Sequence, residues 1–177
     1  MYPCGHILPS DVDALGGHAV LIMNLIAIHP FRERIEYLLQ HPELARIPVL
    51  NAVGRTSNPN CIGTAFFIAG VGTIKYPYHG YDQELNPYFT DEGDDVMRMF
   101  AQSTKRRVPG AFIFSFSARD DDWHVGIYLG SIPGAHVAFA QHGHGLDFGP
   151  ESISGNFHNP SYHIPPTLSQ TENLLGE

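Results

Sequence analysis

Cysteine is scarce in this chain: 177 residues hold two, Cys4 and Cys61. A chain of this length buries enough apolar surface to fold unaided, so a disulfide framework is excluded as the basis of its stability. Basic residues are few as well, 10 Lys and Arg against 18 Asp and Glu, for a net charge of −8. The one basic run, Lys105-Arg106-Arg107, is too short to track a phosphate backbone against that field, which argues against nucleic acid as a partner. Long hydrophobic runs are missing too. The apolar stretch Ala19 to Ile28 is interrupted by Asn24 and falls short of a bilayer span. No basic region precedes it and no small-residue cleavage site follows, so a buried helix accounts for it better than a leader or a membrane span. With no export signal read, the protein is expected to act in the cytoplasm, to leave by another route, or to have lost a leader.

The remaining composition, 43% hydrophobic and 16% charged, is that of one globular domain. Residues 1–49 read as helical and packed on the core. Ser10 can cap a helix from Asp11, although Gly16-Gly17 weakens its first half. Pro30 opens a second helix, with Phe31, Ile35, Leu38 and Leu39 on one face, and Pro42 stops it or begins a further turn. Residues 50–157 form the core. A third helix is expected from Cys61 to Ala69, apolar on all sides, ending at Gly70 or Gly72. Thr90 can cap another running to about Gln102, with Asp91 to Asp95 as its solvated start.

From Pro109-Gly110 the period changes to two. Phe112, Phe114 and Phe116 mark one strand, His124 to Leu129 a second and Ala135 to Gln141 a third. Short connections make them an antiparallel meander. After Gly149-Pro150 little periodicity remains, and 158–177 reads as an extended tail.

Two positions carry chemistry. Cys61 follows the turn-forming run Thr56-Ser57-Asn58-Pro59-Asn60 and heads its helix, where the dipole favours thiolate over thiol. His124 opens a strand about sixty residues later. A helix-borne cysteine and a distant histidine are the parts of a thiol nucleophile and its base. A packed core cysteine and an edge histidine are the bland alternatives.

The order of these parts resembles the NlpC-type papain-like cysteine peptidases and amidases. The resemblance rests on Cys61, on Val108-Pro109-Gly110-Ala111-Phe112-Ile113-Phe114, and on His124-Val125-Gly126-Ile127-Tyr128-Leu129-Gly130. It covers roughly residues 50 to 150. It implies an α+β papain-like fold, N-terminal helices and a nucleophile helix packed on an antiparallel sheet. It also implies hydrolysis of amide bonds in a peptide-like substrate, with no cofactor or metal. Cys61 would attack the carbonyl, His124 would act as base, and His136 would orient His124. Cell-wall-cutting members carry Asp-Cys-Ser-Gly, whereas this chain has Asn60-Cys61-Ile62-Gly63, and Ala111 replaces the usual aspartate after Pro-Gly. That puts a cell-wall peptide substrate in doubt. Transfer to another acceptor would use the same acyl-enzyme, and a non-catalytic binding module that keeps the fold is the alternative from another class.

Strand geometry leaves the third residue open. A two- or four-residue turn sets His124 opposite Gln141 with His136 on the other face, whereas an odd turn or a bulge makes the two histidines co-facial. The turn Gln141-His142-Gly143-His144-Gly145 has two alternate histidines but no third ligand at a recognisable spacing, so a polar glycine turn is the simpler reading. Tyr76, Tyr78 and Tyr81 line a substrate groove or only pack their own loop.

Overall fold

A computed structural model describes residues 15, 17–46, 49–50, 56–57, 61–70, 102–117, 122–142 and 147–168. The expected helix from Thr90 and the tyrosines at 76, 78 and 81 lie outside these, and Gln102 opens a strand instead.

Helix α1 spans Ala19–Ala27, beyond the Gly17-His18 turn. It buries Ile22 and Ile26 and leaves Val20 and Ile28 largely exposed, at 74% and 83%. Helix α2, Arg32–Gln40, buries Ile35 and Leu38, with Phe31 and Leu39 packed beside them. Its outer side carries the Arg32–Glu36 pair at 3.7 Å. A 3-10 turn, Pro42–Arg46, follows. Strands β1 (Val49–Leu50) and β2 (Thr56–Ser57) pair antiparallel. Helix α3, Cys61–Ala69, has all nine residues buried. It ends at Gly70, whose positive φ of 68° suits the left-handed stop that glycine supplies without strain.

The fold is α+β. Among the described residues its main sheet has six strands, all paired antiparallel, in the order β3-β8-β4-β5-β6-β7. They are β3 (Gln102–Thr104), β4 (Phe112–Ser117), β5 (Asp122–Ile132), β6 (Ala135–His142), β7 (Asp147–Ser152) and β8 (Ser161–Ile164). A four-residue helix, α4, Ile153–Asn156, joins β7 to β8. The meander β4-β5-β6 follows the pattern of the sequence. Of the expected tail, 158–177, the residues Ser161–Ile164 form a strand of the sheet, and 169–177 lie outside the described residues. Pro150 lies in β7, an edge strand, and β8 inserts between β3 and β4. Neither strand is long or evenly alternating, so periodicity does not mark them.

Alternation along the strands divides the sheet into two faces. Phe112, Val125, Ile127, Leu129, Val137, Phe139 and Phe148 pack with the helices in one cluster. Ile113, Tyr128, Ala138, Ile153, Phe157 and Tyr162 form a second cluster on the reverse. Between Tyr128 and Gly130 the register of β5 against β6 slips by one residue, a bulge that sends Leu129 and Gly130 both toward the helices. Gly130 has a φ of 147°, and a Cβ there would lie 2.9 Å from Leu25 of α1. Only glycine meets both conditions.

His29, in the turn between α1 and α2, ties the helical layer to β5. It is 5% exposed, donates from Nε2 to the Tyr128 carbonyl at 2.9 Å, and accepts the Phe31 N–H at Nδ1 at 3.1 Å. That set of partners requires a neutral ring. Burial lowers its pKa to about 4, with the Tyr128 hydrogen bond opposing only in part. The unfolded chain takes up this proton near 6.5 and the folded chain near 4, so the stabilisation is complete above 6.5 and declines as pH falls between the two. The component is on the order of 3 kcal/mol. Urea unfolding at pH 7 and at pH 4.5 should show His29→Gln losing less stability on acidification than the parent chain.

Candidate functional site

Cys61 heads α3 as the sequence predicts, and it is fully buried among apolar side chains of the helical face. Farther along α3, Thr64 donates to Gln141 Oε1 of β6 at 2.7 Å, and Gln141 Nε2 donates to the Ala45 carbonyl at 3.3 Å. Gln141 therefore belongs to the helical face, joining α3, β6 and the 3-10 turn. A buried hydroxyl and a buried amide satisfy each other there.

His124 points the other way. It alternates with Val125, a member of the helical cluster, and stacks on Phe157 of the reverse cluster at a centroid distance of 4.8 Å. Its Nε2 lies 2.6 Å from Oε1 of Glu151, the ring N–H donating to the carboxylate. Glu151 sits on β7 opposite Ala138, and both partners are buried. Gly126, Ala138, Ala140 and Gly149 provide the room for this pair: β6 lies between β5 and β7, and small residues face it on all three strands. A Cβ on Gly126 would come within 3.1 Å of Phe157 Cζ and 3.1 Å of the Phe139 carbonyl. Ser115, directly across from His124, is pinned in turn. It donates to the His158 carbonyl at 2.8 Å and accepts the His158 N–H at 2.7 Å.

His136 shares the face of His124, because the bulge makes the two co-facial across a two-residue turn. It does not orient His124; Glu151 holds that position. His136 instead joins a second group, farther toward the β5–β6 turn. Its Nδ1 lies 2.9 Å from the Tyr128 hydroxyl, and its Nε2 accepts from Arg107 Nη1 at 2.5 Å. The arginine donor fixes the lone pair on Nε2, so the proton resides on Nδ1 and is donated to Tyr128. Burial and then the Arg107 charge hold His136 below the usual histidine range. Burial pushes the Tyr128 phenol up, a shift that Arg107 opposes. Arg107 also donates from Nε to the Tyr162 hydroxyl at 3.2 Å and lies 6.0 Å from that ring's centre.

The structure thus brings together His124 with Glu151 and His136 with Tyr128 and Arg107, and it leaves Cys61 across the sheet from both. Sequence reasoning named neither Glu151 nor Arg107 as a site residue. Glu151 is a single acid in a Gly-Pro stretch without period, and Arg107 reads as one of three solvated cations. Among the described residues no three His, Cys, Asp or Glu side chains come together as a metal site, and no helix is long and apolar enough to cross a membrane. Residues 143–146 of the histidine-rich turn lie outside the described residues. Comparison with protein-family models, with curated proteins and with solved structures finds no match.

Truncating Glu151 leaves the buried imidazole without its partner across β6. Glu151→Ala is expected to cost about 3 kcal/mol, and Glu151→Gln, which keeps an acceptor for the Nε2–H, distinctly less. Urea unfolding midpoints of the two variants check the order.

Proposed function

We propose that this is a ligand-binding domain in which Cys61 serves packing rather than catalysis. The observation that carries this reading is the division of Cys61 and His124 between opposite faces of the sheet. Thiol catalysis, whether hydrolysis or acyl transfer, needs sulfur and imidazole within hydrogen-bond reach of each other, with space for a carbonyl carbon beside the sulfur. The Cys61 sulfur has no exposed surface and is packed among the side chains of the helical face, so a substrate carbonyl has no open approach to it.

The scaffold itself is compatible with a papain-like origin. A cysteine-headed helix precedes an antiparallel meander, with the histidine at the start of its second strand. In this reading the chain keeps that arrangement and uses its two faces differently. The helical face is a filled core, whereas the reverse face carries ordered polar groups beside open clefts. The peptide-like substrate implied by the resemblance gives way to a bound ligand.

Iodoacetamide alkylation read by mass spectrometry tests the proposal. Cys61 in the native chain is expected to react slowly, with an ordinary thiol dependence centred near pH 8.5, and to react faster once urea opens the core. Rapid labelling well below that pH, slowed by His124→Ala, would show a poised thiolate–imidazole pair. That result would make the domain a thiol hydrolase or transferase after all.

A further inference from the structure

Arg107 is exposed, yet its guanidinium is held in place. Tyr162 and His136 fix it through the two hydrogen bonds at 3.2 and 2.5 Å, and Tyr128 fixes His136 in turn. These bonds use two of the five N–H donors of an arginine. A surface arginine without such supports would lose rotamer freedom on gripping a ligand, and here much of that ordering precedes binding.

Two clefts meet at this side chain. One, of about 550 Å³, runs past His136, Ser154, Ile132, Ile153 and Phe157. The other, of about 780 Å³, is lined by Thr104, Lys105, Arg106 and Tyr162. Arg107 and Pro160 belong to both. The first volume falls within the range of small-molecule sites, and its lining includes the apolar side chains of Ile132, Ile153 and Phe157. Among the described residues no carboxylate lines either cleft, although acidic residues dominate the chain as a whole. A positive recess on a protein of net charge −8 concentrates anions locally while the remaining surface repels them.

We infer that this recess binds a small organic anion, its oxyanion on the Arg107 guanidinium and its apolar body against Ile153 and Phe157. The inference rests on the binding-domain reading and gives that reading a site. A planar carboxylate and a phosphate monoester both match the fork of an arginine, so the shared chemistry is an oxyanion attached to a compact apolar group. A bare inorganic anion would leave the Ile153 and Phe157 side of the cleft wet, which favours an anion with an apolar body. The absence of acidic lining disfavours a cation.

The test is titration of the full chain with four probes, followed by calorimetry and by ring-proton NMR of His136. Phenylacetate and phenyl phosphate supply the two head groups, phenylacetamide removes the charge, and inorganic phosphate removes the apolar body. Saturable binding of at least one aromatic anion is expected, tighter than either control. The preferred anion identifies the head group. Arg107→Gln should weaken that binding roughly tenfold or more, the scale of a lost charge-assisted hydrogen bond. Ser154→Trp should block it by filling the cleft while Arg107 remains. Both substitutions fall at exposed positions, so circular dichroism should show native folds. No saturable binding of either aromatic anion, equal binding of phenylacetamide, or binding that survives Arg107→Gln would overturn the inference. Cys61 alkylation on the same preparation separates the two failures: an inert thiol with no anion bound removes only this site, whereas a reactive thiol removes the binding-domain reading itself.

Discussion

One additional residue in β5 governs which side chains can meet on this sheet. Because Leu129 and Gly130 both turn toward the helices, the alternation of β5 is offset against β6 beyond that point. Without the offset, a two-residue turn would send His136 to the helical face, into a largely apolar cluster. With it, His136 lies beside Tyr128 and within reach of Arg107. The bulge is itself held from outside the sheet, since Leu25 of α1 occupies the space a side chain at 130 would need. The helical layer and the polar groups on the reverse face are therefore parts of one arrangement.

Several polar groups in the interior are tied across elements that are distant in sequence. His29 reaches the carbonyl of Tyr128, Thr64 and Gln141 satisfy each other, and His124 spans β6 to Glu151. Such bonds contribute modestly when made but are costly when one partner is lost, so they specify this packing against near alternatives more than they add net stability. The His124–Glu151 bond additionally needs a floor of small residues. Gly126, Ala140 and Gly149 are as much a part of it as the two ionisable groups.

The parts of the fold visible in the sequence are those with a strong local signal. Cys61 to Ala69 is helical as its composition and its closing glycine indicate, and the aromatic alternation from Phe112 marks β4. Helix α1 is harder to place, since Gly16-Gly17 obscures its start and nearly every residue is apolar. Strand β8 is four residues of mixed character that owe their place to pairing with β3 and β4. The faces of the sheet are the larger gap. A pattern of period two fixes relative facing only while the register is unbroken, and nothing local to Tyr128-Leu129-Gly130 announces a bulge beyond the glycine itself. The partners of Arg107 lie 29 and 55 residues away, so only the closed sheet distinguishes it from Lys105 and Arg106.

The edge strand β7 has a bearing on how copies of this molecule behave toward one another. A terminal strand offers a row of backbone donors and acceptors on which another chain can template further sheet. In β7, Pro150 has no N–H to give to a further strand, and Gly149 beside it has no side chain to pack. At the opposite end, β3 is only three residues long and runs directly into Lys105-Arg106, where like charges on two approaching copies repel. Among the described residues, both end strands of the sheet thus carry features that discourage strand-by-strand growth, a safeguard against aggregation.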